Sequence, residues 1–188
     1  MAANIIRKRL NILLVLLVLG VGFVTTYRAS AAGKKPGRDD LALDPRFEQL
    51  GTWNCSGITT APYGMERPYY GVMQNDWTLD HKWMVIHYTE QKPITPEPFI
   101  EDQYWGYTET TGKHARTIMA NDGSFGVLNS DGWQNNTMVW QGTYTIAGVS
   151  YTYKETIERQ SEVRYRWYGS IEDNGTVLGR YDVTCKKK

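Results

Sequence analysis

Cysteine is almost missing from this 188-residue chain, with only Cys55 and Cys185. Histidine is nearly as scarce: His81, His87 and His114 are the full set. His81 and His87 are six apart, roughly 20 Å along one continuous strand and too far to share a metal. His114 falls in a different hairpin. No metal site is expected, and no phosphate-binding motif is present. Haem held by a C-terminal histidine, as in nitrobindin-like barrels, is disfavoured because no histidine follows His114. No cofactor is therefore expected. An excess of one charge is lacking too, with 21 basic and 20 acidic residues. No helical period is evident after Gly51. Nor is there a nucleophile with an obvious base, so no catalytic residue stands out.

Only one long apolar run exists. Ile12 to Val24 is nearly all Leu, Val, Ile, Gly or Phe, preceded by Arg7, Lys8 and Arg9 and followed by Ala29-Ser30-Ala31. Basic residues, a short apolar core and a small-x-small site in that order describe a secretory signal over 1–31. A membrane span needs roughly 20 apolar residues, more than this run supplies, and the alternative is an uncleaved anchor. No cysteine follows the run, which argues against a lipoprotein anchor. The expected location is outside the cytoplasm, in a periplasm or extracellular space, with no stable membrane insertion after cleavage. Removal of 1–31 takes four of the basic residues and no acid, leaving 17 against 20, a net charge of −3. Such a surface does not suit nucleic acid.

Aromatic residues are plentiful, and they are 13 Tyr and 7 Trp against 4 Phe. Rings with polar edges must find partners when buried, which a semi-polar barrel interior provides more readily than a dry core. Residues 32–43 are charged and contain Gly and Pro, and read as a flexible lead-in. Asp44-Pro45 predicts a helix N-cap with proline at the first helical position. Phe47 and Leu50 give this short helix an apolar side, and Gly51 ends it. The domain proper is expected over 44–188.

Alternation and aromatic or β-branched content predict strands at 51–60, 68–79, 82–90, 99–109, 113–120, 124–129, 137–145, 149–159, 162–171 and 176–186. The separators Thr111-Gly112, Asn121-Asp122-Gly123, Ser130-Asp131-Gly132, Ala147-Gly148 and Asp173-Asn174-Gly175 suit hairpins. Lys92 to Pro98 holds three prolines and predicts a longer loop over one barrel mouth. A meander of ten strands has exposed edges unless it closes, so a closed antiparallel up-and-down β-barrel is expected, with the short N-terminal helix capping one end. A sandwich is the alternative.

Cys55 lies in the first strand and Cys185 in the last. A lone pair in an exported chain predicts a disulfide, and its geometry requires adjacent strands, as closure provides. If the two cysteines face each other, paired numbers sum to 240. Trp53 then faces Lys187, and Arg180 faces Thr60.

Gly51-Thr52-Trp53, opening the first strand after a short helix, resembles the G-x-W signature of lipocalins and other calycins. The stretch Tyr104 to Met119, followed by Asp122-Gly123 and Gly142, resembles an uncharacterised family of exported bacterial lipocalin-like proteins. Its members share an aromatic-G-Y-x-x-x-x-G-K hairpin, a return strand and a Gly-bearing x-G-x-Y/W. The resemblance spans roughly 45–186. It implies a calycin barrel with Trp53 at the closed base, and no reaction. Calycins often lay a basic residue of the last strand over that Trp. Arg180 is eligible by its strand, but the cysteine register sets it several residues away.

Period-2 spacing puts Trp105 with Tyr107, Tyr151 with Tyr153 and Glu155, and Tyr165 with Trp167 on single faces of their strands. If those faces look inward, the six rings surround a small amphipathic or aromatic ligand, with Glu155 as its polar anchor. They equally suit plain core packing. Glu101 and Asp102, being adjacent, must face opposite sides. Ligand binding is the favoured function. The alternatives are a calycin-type enzyme using a lumen acid with Tyr or His, and a structural barrel with a filled lumen.

Overall fold

The computed structural model describes residues 49–60, 64–93 and 95–188. The signal segment, the lead-in and most of the expected N-terminal helix lie outside the described residues. Eleven strand segments follow one another: β1 (Gly51–Thr60), β2 (Glu66–Thr78), β3 (Trp83–Glu90), β4 (Ile100–Thr108), β5 (Lys113–Ala120), β6 (Phe125–Ser130), β7 (Trp133–Gln134), β8 (Thr137–Ile146), β9 (Val149–Ser161), β10 (Arg164–Asp173) and β11 (Thr176–Lys187). β7 is a two-residue excursion beside β8. The other ten are the expected strands.

Every pairing is antiparallel, each strand lies beside its neighbour in sequence, and β6 pairs across the excursion with β8. β1 pairs with β11, so the sheet closes on itself and has no free edge. The register at this seam is Cys55 to Cys185, Trp53 to Lys187 and Thr60 to Arg180. Cys55 and Cys185 are disulfide-bonded across it. A link spanning 130 residues contributes about 5 kcal/mol by restricting the unfolded chain.

Turn chemistry explains the short connections. Asn174 and Gly175 have φ of 47° and 82°, the pair of positive values a type I′ hairpin needs. The meander puts the turns at 79–82, 109–112 and 162–163 at one end, here the base. The mouth is the other end. It carries the 91–99 connection, the proline-bearing segment expected over a mouth, with the turns at 121–124, 147–148 and 174–175.

Inward positions alternate with outward ones along each strand, as in β9, where Tyr153, Glu155 and Ile157 are buried and Lys154 is exposed. The base half is filled. Trp53, Trp105, Trp140, Met84, Ile86, Leu128, Met138, Ile157 and Tyr165 are all within 1% of full burial. Trp105 meets Trp140 edge to face at 5.2 Å, and Trp53 meets Tyr165 at 5.3 Å.

The bottom is tied by one carbonyl. The Gln49 oxygen accepts from Trp53 Nε1 and from Asn75 Nδ2, each at 2.7 Å. The ammonium of Lys187 sits 5.4 Å from the centre of the Trp53 ring. Lys187 therefore takes the covering position over Trp53, and Arg180 stands near the mouth.

Candidate functional site

The mouth half holds a cavity of about 430 Å³. That is within the range of small-molecule sites. A lumen packed solid from end to end is thereby excluded. Aromatic side chains make much of the wall: Tyr69, Tyr88, Phe99, Tyr144, Tyr153, Trp167 and Tyr181. Tyr69, Tyr88, Tyr144, Tyr153 and Tyr181 occupy inward positions in the mouth half of their strands, Trp167 stands lower on β10 and Phe99 reaches in from the 91–99 connection. Tyr88 reaches its place because its ring crosses diagonally to Gly71, two residues along β2 from its register partner Met73, where a Cβ would lie 2.0 Å from the ring. The rings stack in two groups: Tyr69 on Tyr88 at 5.5 Å, and Tyr144, Tyr153 and Tyr181 in sequence at 5.5 and 6.5 Å.

Two carboxyl groups stand among these rings. Glu155, from β9, is almost fully buried and meets Arg116, from β5, with Nη2 to Oε1 at 2.5 Å. Its other oxygen accepts from the hydroxyls of Tyr153, at 3.1 Å, and of Tyr181. Arg116 lies behind the cavity wall with no exposed surface, its guanidinium 4.5 Å from the Trp140 ring centre. Burial, the largest single influence, would push the Arg116 pKa down, but the Glu155 charge and hydrogen bond together with the Tyr153 and Tyr181 hydroxyls outweigh it and the net shift is upward. The Tyr153 and Tyr181 hydroxyls are raised well above the usual range, by burial first and then by the Glu155 charge. They stay protonated and serve as donors.

Glu101, from β4, has a different setting. Its Oε1 accepts from Gln103 Nε2 at 2.5 Å, and among the described residues it has no ion-pair partner. Burial pushes its pKa up to about 7, with the Gln103 hydrogen bond and the more distant Arg116 pulling the other way. The barrel thus contains one carboxylate locked in an ion pair and one carboxyl that can hold a proton near neutral pH. Tyr144 continues the polar line toward the mouth, its hydroxyl 2.8 Å from Ser124 Oγ, which donates to Asp122 at 2.6 Å. Asp102, on the outer face of β4, pairs with His87 on β3 at 2.5 Å.

The structure brings Tyr153, Glu155 and Trp167 together on the cavity wall and leaves the other four expected residues off it. Trp105 and Tyr165 are packed into the closed half. Tyr107 is 48% exposed at the base, its ring 5.0 Å from His114. Tyr151 shares the inner face of β9 but lies past the cavity, half-buried at the mouth. Period-2 spacing selects a face correctly. It says nothing of depth along the barrel axis, and the closed and open halves differ in depth alone.

Glu101, Arg116, Tyr144 and Tyr181 were not foreseen. Arg116 shares its face with Ile118, and a basic residue on an apolar face is the signal that could have marked it. Among the described residues, no group of three or more His, Cys, Asp or Glu side chains is placed to hold a metal ion.

No family model and no curated protein matches the sequence. Among solved structures, the chain is similar to the S-type phycobiliprotein lyase CPES from Guillardia theta, with a TM-score of 0.58 and 10% identity, covering 75% of this chain and 89% of that one. It is also similar to Rv2717c from M. tuberculosis, with a TM-score of 0.57 and 9% identity, covering 75% of this chain and 93% of that one. At such identities the likeness speaks for the fold, which is that of a ten-stranded, lipocalin-like barrel.

Proposed function

We propose that this is an exported binding protein whose barrel takes up a small, partly apolar molecule through the mouth. The observation that carries the reading is the cavity of about 430 Å³ walled largely by aromatic rings, with the Glu155 and Glu101 carboxyls set among them. Rings with polar edges hold apolar matter yet tolerate water when the site is empty. Glu155, Tyr153 and Trp167 remain in the proposed site. Trp105, Tyr107, Tyr151 and Tyr165 are left out of it. Export is supported by the leader-like N-terminal sequence and by a disulfide that an oxidising compartment would maintain. That one neighbour of this fold is a phycobiliprotein lyase is in keeping with a small-molecule role and names no ligand for this chain.

A fluorescent apolar probe, N-phenylnaphthylamine, tests the site. It should bind saturably to the wild type. Ile171→Trp, which adds bulk to the cavity wall, should abolish that binding, while Tyr107→Ala at the base should leave it intact. Probe binding indifferent to Ile171→Trp, or none to the wild type, overturns the proposal. A second reading, proton transfer on a bound molecule, is favoured by Glu101 alone, since a carboxyl with a pKa of about 7 suits general acid–base work. Chemical recovery of the bound molecule separates the two: unchanged for binding, altered for turnover.

A further inference from the structure

The charges around the cavity are unevenly placed in depth. Arg67 and Arg180 are exposed and stand at the mouth, with Arg67 Nε donating to Thr59 Oγ1 at 3.1 Å. Glu90 and Asp122 are also near the mouth and are engaged locally, Glu90 by the Phe99 amide and Asp122 by Ser124. Further in, the acidic side chains on the wall are, among the described residues, Glu155 and Glu101, with tyrosine hydroxyls between them. The cation behind them, Arg116, is paired with Glu155 through Nη2 alone, its Nε and Nη1 having no hydrogen-bond partner, but it has no exposed surface and lies against the Trp140 ring behind the wall. An anionic head would therefore meet no exposed cation at depth.

Two further observations point to a donor-bearing ligand. Gln103 lines the cavity and is only 6% exposed, yet its Oε1 has no hydrogen-bond partner. Its amide nitrogen is spent on Glu101, so a buried acceptor is left over beside a carboxyl group. The surrounding Tyr69, Tyr88, Phe99 and Tyr144 rings present π-faces, whose negative potential attracts cations.

Resting on the cavity reading above, we propose that the ligand is an organic cation: an ammonium group on an aromatic or aliphatic body, its head between Glu101 and Gln103 and its body against the tyrosine rings. An ammonium has three donors, enough for the Glu101 carboxylate and the free Gln103 oxygen together. Where Glu101 is protonated, binding of the cation would release that proton to solvent, replacing a buried neutral acid with an ion pair. The charged and titratable groups in its surroundings are Arg116, Glu155, Asp122, Tyr69, Tyr88, Tyr144 and Tyr153.

Calorimetry with three matched probes tests the assignment: naphthylethylammonium, neutral naphthylethanol and anionic naphthylacetate. The cation should bind about tenfold more tightly than the alcohol, a ratio equal to one charge-assisted contact. Glu101→Gln should erase that advantage, the cation and the alcohol then binding alike, and saturable binding of the alcohol by the variant shows that it is folded. Equal or tighter binding of the alcohol or the acetate overturns the cation proposal and leaves the cavity reading standing. If none of the three binds, both fall.

Discussion

Arg116 and Glu155 bridge β5 and β9 on the inside of the barrel, over the two strands between them: 39 residues apart in sequence, they meet at 2.5 Å. Neither has more than 3% of its side chain exposed. The pair ties the filled half to the open half, since Arg116 packs on Trp140 and Glu155 receives the cavity tyrosines. Glu155→Gln or Arg116→Met, each leaving a buried group uncompensated, should destabilise the fold by about 3–5 kcal/mol in urea unfolding. The double variant Arg116→Met with Glu155→Gln should cost less than the two single changes added. Strict additivity would show that the two side chains do not interact.

Glu101 makes stability depend on pH in a definite direction. Its folded pKa of about 7 exceeds the ordinary 4.5, so between these values the native state binds more protons than the unfolded one. Its contribution is therefore greatest at pH below 4.5 and is lost as pH rises through 7. Glu101→Gln should leave stability at pH 5 little changed and raise it at pH 8 by about 1–3 kcal/mol. Denaturant midpoints of the two proteins at both pH values check this, and an equal difference at each would remove Glu101 as the source.

Reduction of Cys55–Cys185 should lower the melting temperature by about 10–20 °C, from a loss near 5 kcal/mol, with the far-ultraviolet β signal retained at room temperature. Circular dichroism with and without reductant measures both. A melting temperature unmoved by reduction would show that the seam is held by its strand pairing alone.

The base offers a test of register. Lys187→Met removes the cation over Trp53 and should cost about 0.5–1 kcal/mol. Arg180→Met, at the other end of the same strand, should change stability by no more than a few tenths of a kcal/mol. The reverse order would mean that β11 is offset along β1.

What could be read in advance differs between the seam and the site for a physical reason. Two cysteines that must face each other determine an antiparallel register completely, so the pairings of Trp53 with Lys187 and Thr60 with Arg180 follow from one assumption. The adjacency of Glu101 and Asp102 likewise places one inward and one outward, as the structure has them. Depth along the barrel axis carries no such constraint. Trp105 and Tyr107 alternate as strictly as Tyr153 and Glu155, yet the first pair ends in the plug and on the base surface. Arg116 was missed because β5 reads two ways. Ala115, Thr117 and Met119 make as plausible an inner face as His114, Arg116 and Ile118. Only the depth of Arg116 beside Glu155 makes the second choice favourable. The two-residue β7 leaves no pattern long enough to register.

A barrel is a cylinder slit lengthwise between its first and last strands, and that slit is the natural place for the wall to part. Here the slit is sewn shut by Cys55–Cys185, and both sulfur-bearing residues are also part of the cavity wall. Sideways gaping toward the chain ends is denied, and the tryptophan floor denies passage from below. On the proposed binding role, traffic would be confined to the rim, and how fast a guest comes and goes would rest with the few residues around the proline-bearing loop and its neighbouring turns.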